Sequence, residues 1–374
     1  MNKRKAFCDL TVFRTPNQVI LDLEGCPLSG LSPEALDGLK QFLGFHEYDD
    51  DEALKRILKF LDIDTRGIGY ILRPKKSQYR KLSDNEYIDE WGIKRCFSGL
   101  YWNIVNTPLK GATVEDLDHY DWPVADSIDQ DEIDLIVSKA RQLHETTDYI
   151  ICASHPVYGI FELGCWMCGF DDFLMKMYLD QRFVHRFFEI VLDYQKQVIE
   201  RYYSPLADYI DYTSSGDDFA TQSGLFVSPK MFKDFIAPYF AERIRYTKEF
   251  TNAKYLHHSC GNVAELIPQL IECGVEILNP VQPAGKDMQP HILKQKYGRQ
   301  IVFHGGLDTQ DILPFGTEES IRQAVFELLD VMQPGGGYIF AAAHNLQSDV
   351  PPENIVTMFR AAREWNNKNY KQGG

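Results

Sequence analysis

Eight short apolar runs recur along the chain, each bounded by turn residues and separated by segments of helical periodicity. They fall at residues 19–23, 67–72, 148–154, 207–213, 253–257, 275–279, 300–304 and 337–342. Runs of this length with no polar alternation read as strands buried on both faces, which is the habit of parallel sheets covered by helices. Eight of them is the count of a closed (β/α)8 TIM barrel, an α/β architecture that reaches ~250 residues or more in one domain. The last four runs carry the reading furthest because the helices before them have stop signals. Cys273-Gly274 ends a helix over 263–272, and Tyr297-Gly298 ends one over 291–296. Pro334 with Gly335, Gly336 and Gly337 ends a helix that starts at an N-cap, Thr317. The stretch 194–203 has aromatic residues at helical spacing and reads as core.

Residues 73–125 break the rhythm. Two segments, 87–95 and 98–105, read as the strands of a hairpin inserted after the second barrel strand, followed by a short capped helix at Thr113. The expectation is one domain over 1–374 with this insertion, ending in a polar tail after Trp365.

Composition narrows the function. Lys and Arg number 39 against 54 Asp and Glu, a formal net charge of −15. That excess disfavours a phosphate backbone or an anionic membrane surface as partner, so neither nucleic acid nor membrane is expected. No apolar run approaches the ~18 residues of a membrane span. The basic start, Lys3-Arg4-Lys5, has no apolar stretch behind it and does not read as a secretory signal. Eight cysteines in 374 residues are too sparse for a disulfide scaffold, so reduced thiols and a cytoplasmic setting are expected.

Chemistry in such a barrel gathers where the strands end, because the loops there converge on one mouth. Those ends hold His155, Asp217 and Asp218, then His257, His258 and Cys260, then Gln282, His304, Asp308 and His344. Five of the ten histidines in the chain are among them. His258-Ser259-Cys260-Gly261 puts an imidazole and a thiol two positions apart at a strand end, a pairing that suits zinc. His344, at the end of the eighth strand, is the third-ligand candidate, leaving an open position as catalytic zinc sites do. The alternative is a Cys–His pair packed at the barrel rim with no metal. The Gly216-Asp217-Asp218 segment offers a carboxylate for acid/base work, or an Asx turn capping a helix. Cys165 and Cys168 have a metal or redox spacing but lie in an apolar run and read as core.

The segments 257–263, 277–283, 303–308, 337–344 and 350–355 together resemble the uroporphyrinogen decarboxylase superfamily, most of all its cobalamin (corrinoid)-dependent methyltransferase branch. The resemblance is strong over 205–365. It implies a (β/α)8 barrel and a zinc held by a His-x-Cys-Gly motif and a later Cys. Here the motif matches His258 and Cys260, while His344 stands at the position of the later Cys. A second imidazole in place of a thiolate leaves the zinc more electrophilic. The resemblance further implies a methyl group passing between a small methylated substrate and a corrinoid. No corrinoid-binding Asp-x-His-x-x-Gly motif is present, so the corrinoid would arrive on a partner protein. Asp217 is then the expected proton carrier, with His155, Asp218, Gln222, Gln282, His304 and Asp308 orienting substrate. The decarboxylase itself acts on a polycarboxylate tetrapyrrole, and the family's N-terminal Arg-Gln-Ala-Gly-Arg segment is absent here near Asp22. A decarboxylase and a non-catalytic ligand-binding barrel stay as rival readings, and a homo-oligomer stays open.

Overall fold

The computed structural model describes residues 2–99, 102–283 and 285–370. Seven parallel strands form one curled sheet in sequence order: β1 (Thr65–Ile68), β2 (Ile150–Ser154), β3 (Tyr212–Gly216), β4 (Lys254–His258), β5 (Ile277–Asn279), β6 (Val302–His304) and β7 (Tyr338–Ile339). The eighth apolar run, around Leu21, lies between the two edges. Leu21 bridges Phe340 in parallel, with Asp22 N donating to Phe340 O at 2.9 Å and Phe340 N to Ile20 O at 2.9 Å. On its other side Asp64 N donates to Leu21 O at 3.0 Å. The eight runs therefore make the wall of a TIM-barrel-like fold.

Alternation along the strands sorts the side chains into two cores. Ile150, Cys152, Tyr212, Leu256, Ile277, Val302 and Ile339 point inward and pack with Ile20 and Cys26. Ile151, Ala153, Tyr255, Leu278 and Phe303 point outward into the layer beneath the helices. The basic N-terminal segment is the helix Lys3–Thr11, whose Ala6, Phe7 and Leu10 fill the lower end of the barrel interior. Phe7 packs on Tyr212 with ring centroids 5.5 Å apart, and burying such a ring contributes roughly 1.5–3 kcal/mol. The long helix Gln181–Tyr203 buries Phe183, Phe187, Val191, Val198 and Tyr202 at helical spacing.

Three expectations are adjusted. The fourth strand is Tyr212–Gly216 rather than 207–213, because the preceding residues turn out of the helix Gln181–Tyr203 through Ser204–Leu206. The inserted segment forms a four-stranded antiparallel sheet of Arg80–Lys81, Glu86–Ile88, Lys94–Phe97 and Trp102–Asn106. The stretch 87–95 is not one strand but a hairpin of its own. Asp89 folds it, its Oδ1 accepting the amides of Trp91 and Ile93, both at 3.0 Å. Part of the segment 98–105, Leu100 and Tyr101, lies outside the described residues. The polar tail after Trp365 continues the helix Pro352–Tyr370, where buried Asn366 accepts the Val19 amide at 2.9 Å. Among the described residues no helix is long and apolar enough to cross a membrane.

Candidate metal centre and the cavity above it

Strand alternation decides between the adjacent histidines His257 and His258. His257 follows Tyr255 outward and packs against Phe240, ring centroids 4.5 Å apart. His258 follows Leu256 inward and upward to the mouth. There His258 Nε2 lies 3.2 Å from Cys260 Sγ, and His344 stands with its ring centroid 5.7 Å from that of His258 at 74°. One ligand atom from each of the three residues lies within 4.8 Å of the other two. The thiol reaches this point because the chain turns sharply at Gly261, φ +83°, where a Cβ would sit 2.5 Å from Thr221 O.

Two side chains hold the turn. Asp218 Oδ1 accepts the Cys260 amide at 2.7 Å, and Gln282 Oε1 accepts the Gly261 amide at 2.8 Å. Gln222 Nε2 in turn donates to Gln282 Oε1 at 3.1 Å. Gln222, Gln282 and Asp308 line a narrow cleft beside the triad. Asp308 Oδ1 accepts the amides of Gln310, Asp311 and Ile312, so its carboxylate orders its own loop.

The triad opens into a cavity of about 490 Å³ that also meets His155, Asp218 and Glu162. Its far wall is apolar and aromatic, with Ile71, Val157, Tyr158 and Trp166, and among the described residues no Lys or Arg lines it. His155 lies at the wall, its Nδ1 2.8 Å from Tyr203 Oη. Burial and the nearby Arg243 charge hold the His155 pKa well below the usual histidine value.

Asp217 and His304 do not line this cavity. Asp217 is fully buried behind it, its two carboxylate oxygens accepting the amides of Phe161 at 2.9 Å and Glu162 at 2.8 Å. It thereby holds the start of the helix Ile160–Cys168, and burial raises its pKa to about 6 against the opposing Arg243 charge and those two amides. The carboxylate facing the triad is Asp218, its Oδ1 3.7 Å from His258 Nε2. His304 points into the barrel interior with no exposed surface, bonded to Asn279 and Asp22.

Glu162, Asn279 and Asp22 escaped the sequence reading. Glu162 is the only charged residue of the helix Ile160–Cys168, and a lone acid in an apolar helix was the available signal. Burial, then the charges of Asp218 and Asp217, push its carboxyl well above the usual range. Cys165 and Cys168 of the same helix are buried in the core.

Without a cation beside them the triad groups are all uncharged near neutrality. Burial and the Asp218 and Glu162 charges push the Cys260 thiol up to about 12. Burial, then the proximity of His258, brings His344 down to about 4, and burial lowers His258 as well. Two neutral imidazoles and a thiol able to lose its proton are a donor set that fits zinc.

Comparison with known proteins agrees with this architecture. Uroporphyrinogen decarboxylase from Pseudoalteromonas translucida (strain TAC 125) is 32% identical over 78 residues, 21% of this chain and 22% of that protein. The Legionella pneumophila (strain Corby) enzyme is 27% identical over 149 residues, 39% and 40% of the two chains. The chain thus spans between about a fifth and two fifths of these relatives. A methylated-thiol–coenzyme M methyltransferase of Methanosarcina mazei is 22% identical over 259 residues, 69% of this chain and 65% of that one. A solved methyltransferase from Methanosarcina mazei superposes with a TM-score of 0.64 at 16% identity, covering 98% of this chain and 99% of that one, a likeness of fold. The family model described as uroporphyrinogen decarboxylase (URO-D) matches residues 105–365, well over half of the sequence, and the chain belongs to that family.

Proposed function

We propose that this protein is a zinc-dependent methyltransferase that moves a methyl group between a small substrate and a corrinoid carried by a partner protein. The observation that carries this reading is the convergence of His258, Cys260 and His344 at one end of the cavity. His258 through Nε2, Cys260 through its thiolate and His344 would hold the metal. Bound there, zinc supplies a Lewis acid that keeps a thiol as its anion or draws electron density from the heteroatom bearing the methyl group. The similarity to methyltransferases supports the reaction class, and the missing corrinoid motif supports a separate carrier.

The surrounding residues have separable tasks in this proposal. Asp218 fixes the Cys260 backbone and faces the open side of the triad. Glu162, its carboxyl held well above the usual range by burial, is placed to give or take a proton at the substrate. His155 and Asp218 orient the substrate, while Gln222 and Gln282 hold the cysteine turn, and Asp308 its own loop. Tyr158 and Trp166, perpendicular at a centroid distance of 5.5 Å, offer apolar faces that exclude water.

A decarboxylase reading draws on the curated relatives that bear that name. A polycarboxylate substrate calls for cationic side chains, and none is among the described lining residues. The deciding experiment is elemental analysis of purified protein, paired with the visible spectrum of methylcobalamin incubated with the protein and simple thiols. Near-stoichiometric zinc and thiol-dependent loss of the methylcobalamin spectrum are expected. Zinc-free protein, or full zinc in Cys260→Ala, would overturn the assignment.

A further inference from the structure

Four buried side chains link the metal end of the site to the opposite wall of the barrel. Asp22 Oδ2 lies 2.7 Å from His304 Nε2, and His304 Nδ1 lies 2.6 Å from Asn279 Nδ2. Asn279 Oδ1 lies 2.5 Å from His258 Nδ1, and His258 Nε2 faces Cys260. None of the four is more than 5% exposed. An ionised carboxylate can only accept, and Asp22 also accepts from Ser29 Oγ, Thr65 Oγ1 and Gly25 N. His304 Nε2 therefore donates to Asp22. Asn279 presents Nδ2, which can only donate, to His304 Nδ1, and Oδ1, which can only accept, to His258 Nδ1, so His258 donates from Nδ1. The chain has one direction, and its last link leaves a lone pair on His258 Nε2.

We propose that Asp22, His304 and Asn279 are positioning residues that lock His258 in the Nδ1–H tautomer and thereby set the affinity of the site for zinc. The proposal rests on the metal reading above for its consequence, but the tautomer is a property of the metal-free protein. Outer partners of a ligating imidazole typically change metal affinity by 10–100-fold. What is particular here is the length of the chain, which ties the ligand on β4 to the first wall segment through β5 and β6.

The direction can be reversed at its far end. In Asp22→Asn the new amide can donate to His304 Nε2. His304 then donates from Nδ1, Asn279 rotates to accept, and its nitrogen donates to His258 Nδ1. His258 now carries its proton on Nε2, the atom that must bind metal. Asn279→Asp in the same protein restores an acceptor for both imidazoles, so the double variant returns His258 to the Nδ1–H form. A merely structural role for Asp22 predicts no such rescue.

The test uses full-length metal-free protein at pH 7, with two-bond ¹H–¹⁵N spectra of the imidazoles and zinc affinity measured against a chromophoric chelator. Asp22→Asn is expected to switch His258 to the Nε2–H tautomer and weaken zinc by roughly 10–100-fold, with recovery to within about threefold in the double variant. Retention of the Nδ1–H tautomer in Asp22→Asn, or lost affinity that the second substitution leaves unrepaired, overturns the proposal. Should Asp22→Asn not fold, Asn279→Leu removes the acceptor of His258 Nδ1 without touching Asp22, and unchanged affinity there is equally fatal. A wild-type protein with the Nδ1–H tautomer but no zinc affinity would sink the metal reading and leave the chain standing.

Discussion

The Asp217 carboxylate accepts the amide of Phe161 at 2.9 Å from behind the cavity wall, with no surface of its own toward the substrate space. With the second bond, from Glu162 N, it satisfies two orphan donors at the start of the helix Ile160–Cys168. Asp217→Asn keeps one acceptor and sets an amide nitrogen against the other donor. A stability loss of about 1–3 kcal/mol is expected, with zinc content and turnover little changed. Urea denaturation alongside methyl transfer decides the matter. Turnover lowered ~100-fold at unchanged stability would return Asp217 to the role of proton carrier.

Zinc affinity should rise with pH. Of the three proposed ligands only Cys260, with its thiol pushed up to about 12, must lose a proton, because His344 at about 4 and the lowered His258 are already neutral. Binding therefore releases close to one proton, and the affinity gains about tenfold per pH unit between roughly pH 6 and 9. Chelator competition at several pH values measures the slope, and a flat profile would exclude the thiol as a ligand.

The sequence made the barrel legible because each wall segment is a local signal: an apolar run with a helix stop before it. It placed the fourth strand too early, at 207–213, because Tyr212–Gly216 is largely polar in composition although Tyr212, Thr213, Ser214 and Ser215 are buried. The convergence of His258, Cys260 and His344 was legible for a similar reason, since His258 and Cys260 are two residues apart and His344 follows a run. The groups behind it were not. His304 and Asp22 are 282 positions apart, and His258 and Asn279 are 21 apart on neighbouring strands. Nothing local marks such partners, which meet only because strand alternation turns them all inward. Asp217 and Asp218 show the same limit: which one faces the cavity depends on the loop between β3 and its helix.

Uroporphyrinogen should be a poor substrate. The cavity lining sets Asp218 and Glu162 beside an apolar wall, with no cationic side chain among the described lining residues to pair a row of carboxylates. Anaerobic assay should give no coproporphyrinogen above background. Efficient formation would require a different substrate path from the one this cavity offers.

Glu162 is expected to trade stability for chemistry. Its folded-state carboxyl is held well above the usual range by burial, then by Asp218 and Asp217. Between the unfolded value near 4.5 and that raised value the folded protein binds the extra proton, so stability falls as pH rises through the window. Glu162→Gln removes the titration while keeping the shape. The variant should therefore melt higher than wild type at pH 8, with the difference shrinking toward zero below about pH 4, where both forms are uncharged. If the acid also carries a proton at the substrate, methyl transfer should drop ~10²–10⁴-fold in the same variant, with zinc retained. Melting curves at the two pH values and a single turnover assay separate the outcomes. A variant less stable than wild type at pH 8 would show that Glu162 is ionised and paired in the folded protein, and unchanged turnover would remove it from the proton path.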